Sequence, residues 1–332
     1  MGFSATILGC AGTELTREED AFFRDVRPVG FILFARNVEK PLQLARLVSD
    51  LRATAPDAPV FIDQEGGRVQ RMRAPYWREW QPPLDMVEAL GADASRALYL
   101  RSYIIGRELL DCGIDANCGP LADIAQADTH PVLRNRLYGD EAGQVALHAR
   151  AVADGLRDAG VFPVLKHIPG HGRARLDSHH DLPRVTTDLE TLRDTDFAPF
   201  QALADLPWGM TAHLVYEAID PDLPATLSPR MIRVIRDGIG FQGLLMTDDL
   251  SMNALPGPVE ERAGRARAAG CDIVLHCNGE MEEMRKVVEA AGTLDRDATD
   301  RLAAVMRGRP DPVRLDIREV EAEFDALISR DR

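Results

Sequence analysis

Eight short apolar runs, separated by longer helix-like segments, constrain the architecture of this chain more than any other feature. The runs are Ala5 to Cys10, Gly30 to Phe34, Pro59 to Ile62, Ile114 to Cys118, Val161 to Leu165, Gly209 to Ala212, Gly243 to Thr247 and Asp272 to His276. Each is long enough for a strand buried on both faces and too short for a helix. Between them the pattern predicts helices over Thr16 to Asp25, Pro41 to Thr54, Ala94 to Cys112, Glu141 to Ala159, Leu189 to Ala204, Ser228 to Gly238 and Val259 to Ala269, with Glu280 to Ala291 after the last run. The first of these opens on Thr16-Arg17-Glu18-Glu19, a capping box in which the Thr and Glu side chains satisfy each other's backbone N–H groups. Eight alternations predict an α/β fold of the (β/α)8 TIM-barrel type, and 332 residues accommodate it with loop insertions. A doubly wound open sheet is the rival, but Gly9-Cys10-Ala11-Gly12-Thr13 after the first run lacks that fold's phosphate-turn spacing. The tail from Asp297 to Arg332 reads as one or two further helices, broken at Pro310 and Pro312 and packed outside the barrel. Nothing marks a second domain.

Charge and cysteine usage narrow the class of partner. The 39 basic and 53 acidic residues leave a formal charge of −14, which repels phosphate backbones and anionic lipid, so neither nucleic acid nor membrane is expected as a partner. The five cysteines, Cys10, Cys112, Cys118, Cys271 and Cys277, are odd in number and widely spaced, which predicts buried free thiols rather than disulfides or zinc. The first residues, Met1-Gly2-Phe3-Ser4-Ala5-Thr6, lack a signal-peptide pattern and no apolar run reaches spanning length, so a cytoplasmic location is expected.

In a (β/α)8 barrel the chemistry sits at the C-terminal ends of the strands. Those ends are chemically loaded here: Asp63-Gln64-Glu65-Gly66-Gly67-Arg68 after the third run, Asp123 after the fourth, Lys166-His167 after the fifth, His213 after the sixth and Asp248-Asp249 after the seventh. The segment Lys166-His167-Ile168-Pro169-Gly170-His171-Gly172, with Asp177-Ser178-His179 close behind, packs titratable groups into a loop shaped by Gly and Pro. Asp248, leaving a buried run, is placed to act as a nucleophile toward an electrophilic carbon such as an anomeric centre, while Asp249 is assigned to capping the turn at Leu250-Ser251-Met252. Asp177, two residues from His179, can fix its tautomer and raise its basicity, although the spacing also fits an exposed polar loop. Lys166 and His167 read either as hydroxyl-binding groups or, for Lys166, as a structural ion pair. His213 reads equally as a packed, hydrogen-bonded histidine or a ligand, and Arg71 and Arg136 as anion or sugar clamps or as surface arginines.

Taken together, these segments resemble glycoside hydrolase family 3, in particular its bacterial β-N-acetylglucosaminidases of cell-wall recycling. The matching pieces are Asp63 to Arg71, Gly119-Pro120-Leu121-Ala122-Asp123, Lys166 to Gly172 with Asp177-Ser178-His179 and Leu182-Pro183, Met210-Thr211-Ala212-His213, and Thr247-Asp248-Asp249-Leu250-Ser251-Met252. The resemblance implies a retaining exo-β-N-acetylglucosaminidase formed by residues 1–332 as one catalytic barrel, needing no cofactor or metal. In it Asp248 would be the nucleophile and His179, oriented by Asp177, the general acid/base. Asp63, Arg71, Arg136, Lys166 and His167 would hold the terminal N-acetylglucosamine of a small-molecule substrate, an N-acetylglucosaminyl-anhydromuramyl saccharide or peptide. A monomer or weak homodimer is expected. Two departures are visible: Ile168 stands where the family more often has Phe, and Arg134-Asn135-Arg136-Leu137-Tyr138-Gly139 is a loose form of its pattern, leaving Arg134 as a second choice for Arg136.

Three other readings stay open at this level. His167, His213 and Asp248 could ligate zinc in a metal-dependent barrel hydrolase. Phosphate could replace water as acceptor, making the enzyme a phosphorylase, or the barrel could bind the sugar without turning it over.

Overall fold

Phe61, Phe162 and Trp208 meet at the centre of the molecule, with the Trp208 ring edge-on to both at centroid distances of 5.0 and 6.3 Å. They stand inside a closed parallel barrel of eight strands in the computed structural model, which describes residues 2–174 and 182–329. The strands are β1 Ser4–Gly9, β2 Pro28–Leu33, β3 Val60–Ile62, β4 Ala116–Asn117, β5 Phe162–Ile168, β6 Trp208–Thr211, β7 Leu244–Asp249 and β8 Ile273–His276. Each pairs with its sequence neighbours, and β1 with β8 closes the ring. The predicted (β/α)8 architecture is therefore the observed one. Trp208 is fully buried, so Trp208→Ala should destabilise the fold by about 3–5 kcal/mol, read as a lower denaturant midpoint at unchanged slope.

Strand parity decides what faces the lumen, because successive side chains point to opposite faces. Ile7, Ile32, Phe61, Ala116, Phe162, Val164, Trp208, Met210, Leu244, Met246, Ile273 and Leu275 form the lumen cluster. Two residues beyond Phe61, Val164 and Met246 come Asp63, Lys166 and Asp248, so the same parity carries these three to the barrel mouth. His213 has the opposite parity, three residues after Met210. Lys166, His167 and Asp248 lie within β5 and β7 rather than beyond them, since the ladders run further than the apolar runs did.

The helices follow expectation in most places, but Ser228 to Gly238 is a short α-helix, Pro229–Arg233, continued by a π-helix, Val234–Ile239, and Pro83–Leu90 forms a helix that the pattern does not predict. Thr16 caps the helix Arg17–Val26 through its hydroxyl to the Glu19 N–H at 3.1 Å, and Glu19 answers at the Thr16 N–H at 2.9 Å. The segment expected as one helix over Leu189 to Ala204 is two, Leu189–Asp194 and Ala198–Ala202, because Pro199 can sit only in a helix's first turn. The tail departs from its expected position outside the barrel. Its first helix, Arg296–Arg307, instead packs Leu302 and Val305 into the lumen cluster. Arg301 pairs with Asp272 at 3.0 Å, just before β8, and Arg309 with Asp115, just before β4, so this segment covers the N-terminal end of the barrel. An open barrel bottom would leave that apolar layer wet, and an amphipathic helix is what removes it from water. The second, Ile317–Ile328, lies outside, with Phe324 edge-on to Trp80 at 5.5 Å.

All five cysteines are free and buried, and no described helix is long and apolar enough to cross a membrane.

Candidate active site

At the C-terminal mouth of the barrel lies a pocket of about 250 Å³. Asp63, Arg71, Arg136, Lys166, His167 and Asp248 all line it, so six of the eight residues singled out from the sequence converge there. Asp177 and His179 lie outside the described residues.

Lys166 organises one wall. Its ammonium is buried and reaches Asp63 Oδ1 at 2.9 Å and Glu65 Oε1 at 2.6 Å. Arg71 donates to Asp63 Oδ2 at 3.0 Å while its guanidinium lies 5.2 Å from the Phe34 ring centroid. Arg136 takes Glu65 in a two-pronged pair, Nε to Oε2 and Nη2 to Oε1, both at 2.8 Å. Burial alone would raise both carboxyls, but the neighbouring cations outweigh it: Glu65 is held down at about 2, and Asp63 lies well below the usual carboxylate range. The same carboxylates hold Lys166 and Arg136 above their ordinary values against the opposing effect of burial. These groups form an alternating lattice of fixed charge, so Lys166 is both a structural ion pair and a pocket wall. Arg134 is exposed and donates to the Gln126 carbonyl at 2.8 Å, so of the two arginines only Arg136 lines the pocket.

Behind His167 stands Asp123, which is wholly buried. It accepts from His167 Nδ1 at 2.8 Å and from the backbone N–H groups of His167 at 3.3 Å and His171 at 2.6 Å. Burial pulls the Asp123 carboxyl up, but interactions with His167 and His171 bring it below its ordinary value. The contact between His167 Nδ1 and Asp123 fixes the orientation of the ring at the pocket wall. His171 packs edge-on to His167 at 5.3 Å, and burial followed by repulsion from His167 lowers it to about 4.

Asp248 differs from every other acid in the pocket. Asp63 is paired with two cations, and Asp249 is held by the N–H groups of Ser251 and Cys277, both at 3.1 Å, and by the Ser251 hydroxyl. Asp248 has no ion-pair partner among the described residues, and accepts from the Asp249 N–H at 2.8 Å. Burial would raise its carboxyl, yet the nearby His167 and His213, with the Asp249 N–H and Lys166, hold it below the ordinary value. It is an ionised carboxylate whose field is balanced at a distance rather than quenched by contact.

His213 is the packed histidine, not a pocket ligand. Its Nε2 donates to the Asp249 carbonyl at 3.0 Å and its Nδ1 meets the Thr226 hydroxyl at 2.7 Å, so neither nitrogen is left to join His167 and Asp248 around zinc. Among the described residues no group of three His, Cys, Asp or Glu side chains is arranged to hold a metal ion.

Glu65 and Asp123 hold the site together, although the sequence motifs that contain them assign them no role. Parity contained the signal for Glu65, two residues beyond Asp63 on an extended segment, Gln64–Gly66, that folds back as a hairpin with Val69–Gln70. Asp123 would have emerged from asking what holds His167 in one orientation.

A charged, ring-sized pocket at the mouth of a (β/α)8 barrel, with one carboxylate that meets neither a cation nor a side-chain donor among the described residues, is the layout of a carbohydrate-cleaving barrel enzyme. Residues 8–307 match the model of the glycosyl hydrolase family 3 N-terminal domain. A β-hexosaminidase from Alkalilimnicola ehrlichii is 39% identical over 281 residues, 82% of this chain and 80% of that one. Native NagZ from Neisseria gonorrhoeae superposes with a TM-score of 0.86 at 30% identity over 99% of this chain and 97% of its own. The same protein in complex with N-trifluoroacetyl-D-glucosamine superposes at 0.85 with the same identity and coverage. The chain belongs to glycoside hydrolase family 3, among its bacterial β-hexosaminidases.

Proposed function

We propose that the chain is a retaining exo-β-N-acetylglucosaminidase acting on peptidoglycan-derived muropeptides in the cytoplasm, with residues 1–332 working as one catalytic unit. The observation that carries this reading is Asp248: among the described residues it is the pocket carboxylate with neither a cation nor a side-chain donor in contact, and its carboxyl is held below the ordinary value. In the proposed cycle Asp248 attacks the anomeric carbon as the aglycone oxygen leaves, and His179, oriented by Asp177, protonates that oxygen. The same histidine then removes a proton from water, which displaces Asp248 and restores it as a carboxylate. Lys166, Arg136 and Arg71 are proposed to donate to the sugar hydroxyls and Asp63 to accept from them, with His167 as a further hydrogen-bonding group. The pocket's size, which suits a single ring, supports exo action.

Two inversions at one carbon leave the configuration unchanged. Proton NMR during hydrolysis of an N-acetyl-β-D-glucosaminide should therefore show β-N-acetylglucosamine first, with the α anomer appearing only by mutarotation. Initial α product would overturn the two-step mechanism. Running the reaction with phosphate and finding a sugar 1-phosphate would instead make the enzyme a phosphorylase on the same intermediate.

A further inference from the structure

We propose that Arg101, on the helix Ala94–Asp111 behind the barrel wall, is a positioning residue that sets Glu65 against Lys166 and Arg136. Arg101 is 2% exposed and forms no ion pair with a carboxylate among the described residues. A buried cation without a counterion is costly to fold, so what its hydrogen bonds hold matters. Its Nη2 donates to the backbone carbonyl of Glu65 at 2.5 Å. The rest of the guanidinium is fixed by Met86 Sδ at 3.8 Å from Nη1 and by the Trp80 ring at 5.6 Å.

The neighbouring chain is built to accept this contact. Gly66 has φ of +102°, and a Cβ there would stand 1.8 Å from Arg101 Nη2, so any other residue would push the guanidinium away. Two residues earlier, the Asn117 side chain accepts from the Gln64 N–H at 2.9 Å and donates to the Gln64 carbonyl at 3.0 Å. Gln64 is thus clamped by Asn117 and Glu65 by Arg101. Glu65 in turn aligns both Arg136 and Lys166, so an error in its height is passed to two of the proposed sugar-binding cations. A space of about 20 Å³ beside Arg101, bordered by Ser102 and Tyr138, is room for one water and not for a counterion with its own shell.

The inference rests on the proposed function, because it assigns Arg101 a part in sugar binding through Glu65. The test is a double-mutant cycle: kcat and KM for 4-nitrophenyl N-acetyl-β-D-glucosaminide, with and without Glu65→Gln, for wild type, Arg101→Met and Arg101→Lys. In the Glu65 background we expect Arg101→Met to lose at least about tenfold in kcat/KM, since small displacements of positioning groups have effects of that size. Arg101→Lys should recover part of the loss. With Glu65→Gln present, either substitution should change kcat/KM by less than twofold. Loss of equal size in both backgrounds, or kcat/KM within twofold of wild type for Arg101→Met, would overturn the proposal. If Arg101→Met does not fold, Arg101→Lys decides alone by the same comparison between backgrounds. Turnover by the wild type tests the reading of the site; the difference between backgrounds tests Arg101.

Discussion

Asp248→Ala is expected to lower kcat for an aryl N-acetyl-β-D-glucosaminide by about 10⁴-fold or more, roughly 5.5 kcal/mol of barrier, while leaving the fold intact. The size follows from what the side chain would do: it forms the bond that replaces the aglycone, and no other acid in the pocket can take over. Asp63 is committed to Lys166 and Arg71, Glu65 to Lys166 and Arg136, Asp123 to His167 and Asp249 to Ser251 and Cys277. A purely structural role for Asp248 would predict a change in melting temperature with modest change in turnover. Azide separates the two. Added to Asp248→Ala with a good leaving group, it can enter the vacated space, form a C–N bond at the anomeric carbon as the C–O bond breaks, and yield the α-glycosyl azide. Formation of that product with restored turnover would establish the carboxylate as the missing nucleophile. Wild-type rates in Asp248→Ala would remove it from the mechanism.

Strand parity explains why so much of this site was legible in the chain. Asp63, Lys166 and Asp248 stand two residues beyond Phe61, Val164 and Met246, so a reader who places the apolar strands has also placed the three charges in the lumen. His213, on the other parity, belongs to the barrel's outer packing, and its two hydrogen bonds there remove it from a zinc set. What was not legible depends on contacts far apart in the chain. Glu65 becomes the partner of Arg136 only because the segment after β3 folds back, and the role of Asp123 depends on how β5 ends beside it. The helix Arg296–Arg307 reads as a peripheral amphipathic helix, since nothing local records that the barrel bottom lacks a cover. Pro199 did carry its own signal, and one long helix there was excluded in principle by the hydrogen bond a proline cannot donate.

Replacing His179 should produce an effect whose size depends on the substrate, and that dependence is more informative than the size. If His179 protonates the departing oxygen, its loss matters in proportion to how badly that oxygen needs a proton. For kcat/KM, which reports steps up to the first irreversible bond cleavage, His179→Ala should be slow by about 10³-fold with a poorly acidic alcohol as leaving group. With a dinitrophenol, which departs as a stable anion, the loss should be less than about tenfold. The Brønsted slope of log kcat/KM against leaving-group pKa should steepen accordingly. A general acid must hold its proton, so wild-type kcat/KM should fall as pH rises through the histidine's pKa, and that basic limb should disappear in the variant. Azide cannot replace an acid, so it should not rescue the slow leaving groups, in contrast to Asp248→Ala. Uniform loss across all leaving groups, with the basic limb intact, would show that the proton comes from elsewhere and would reduce Asp177 and His179 to groups that shape the loop.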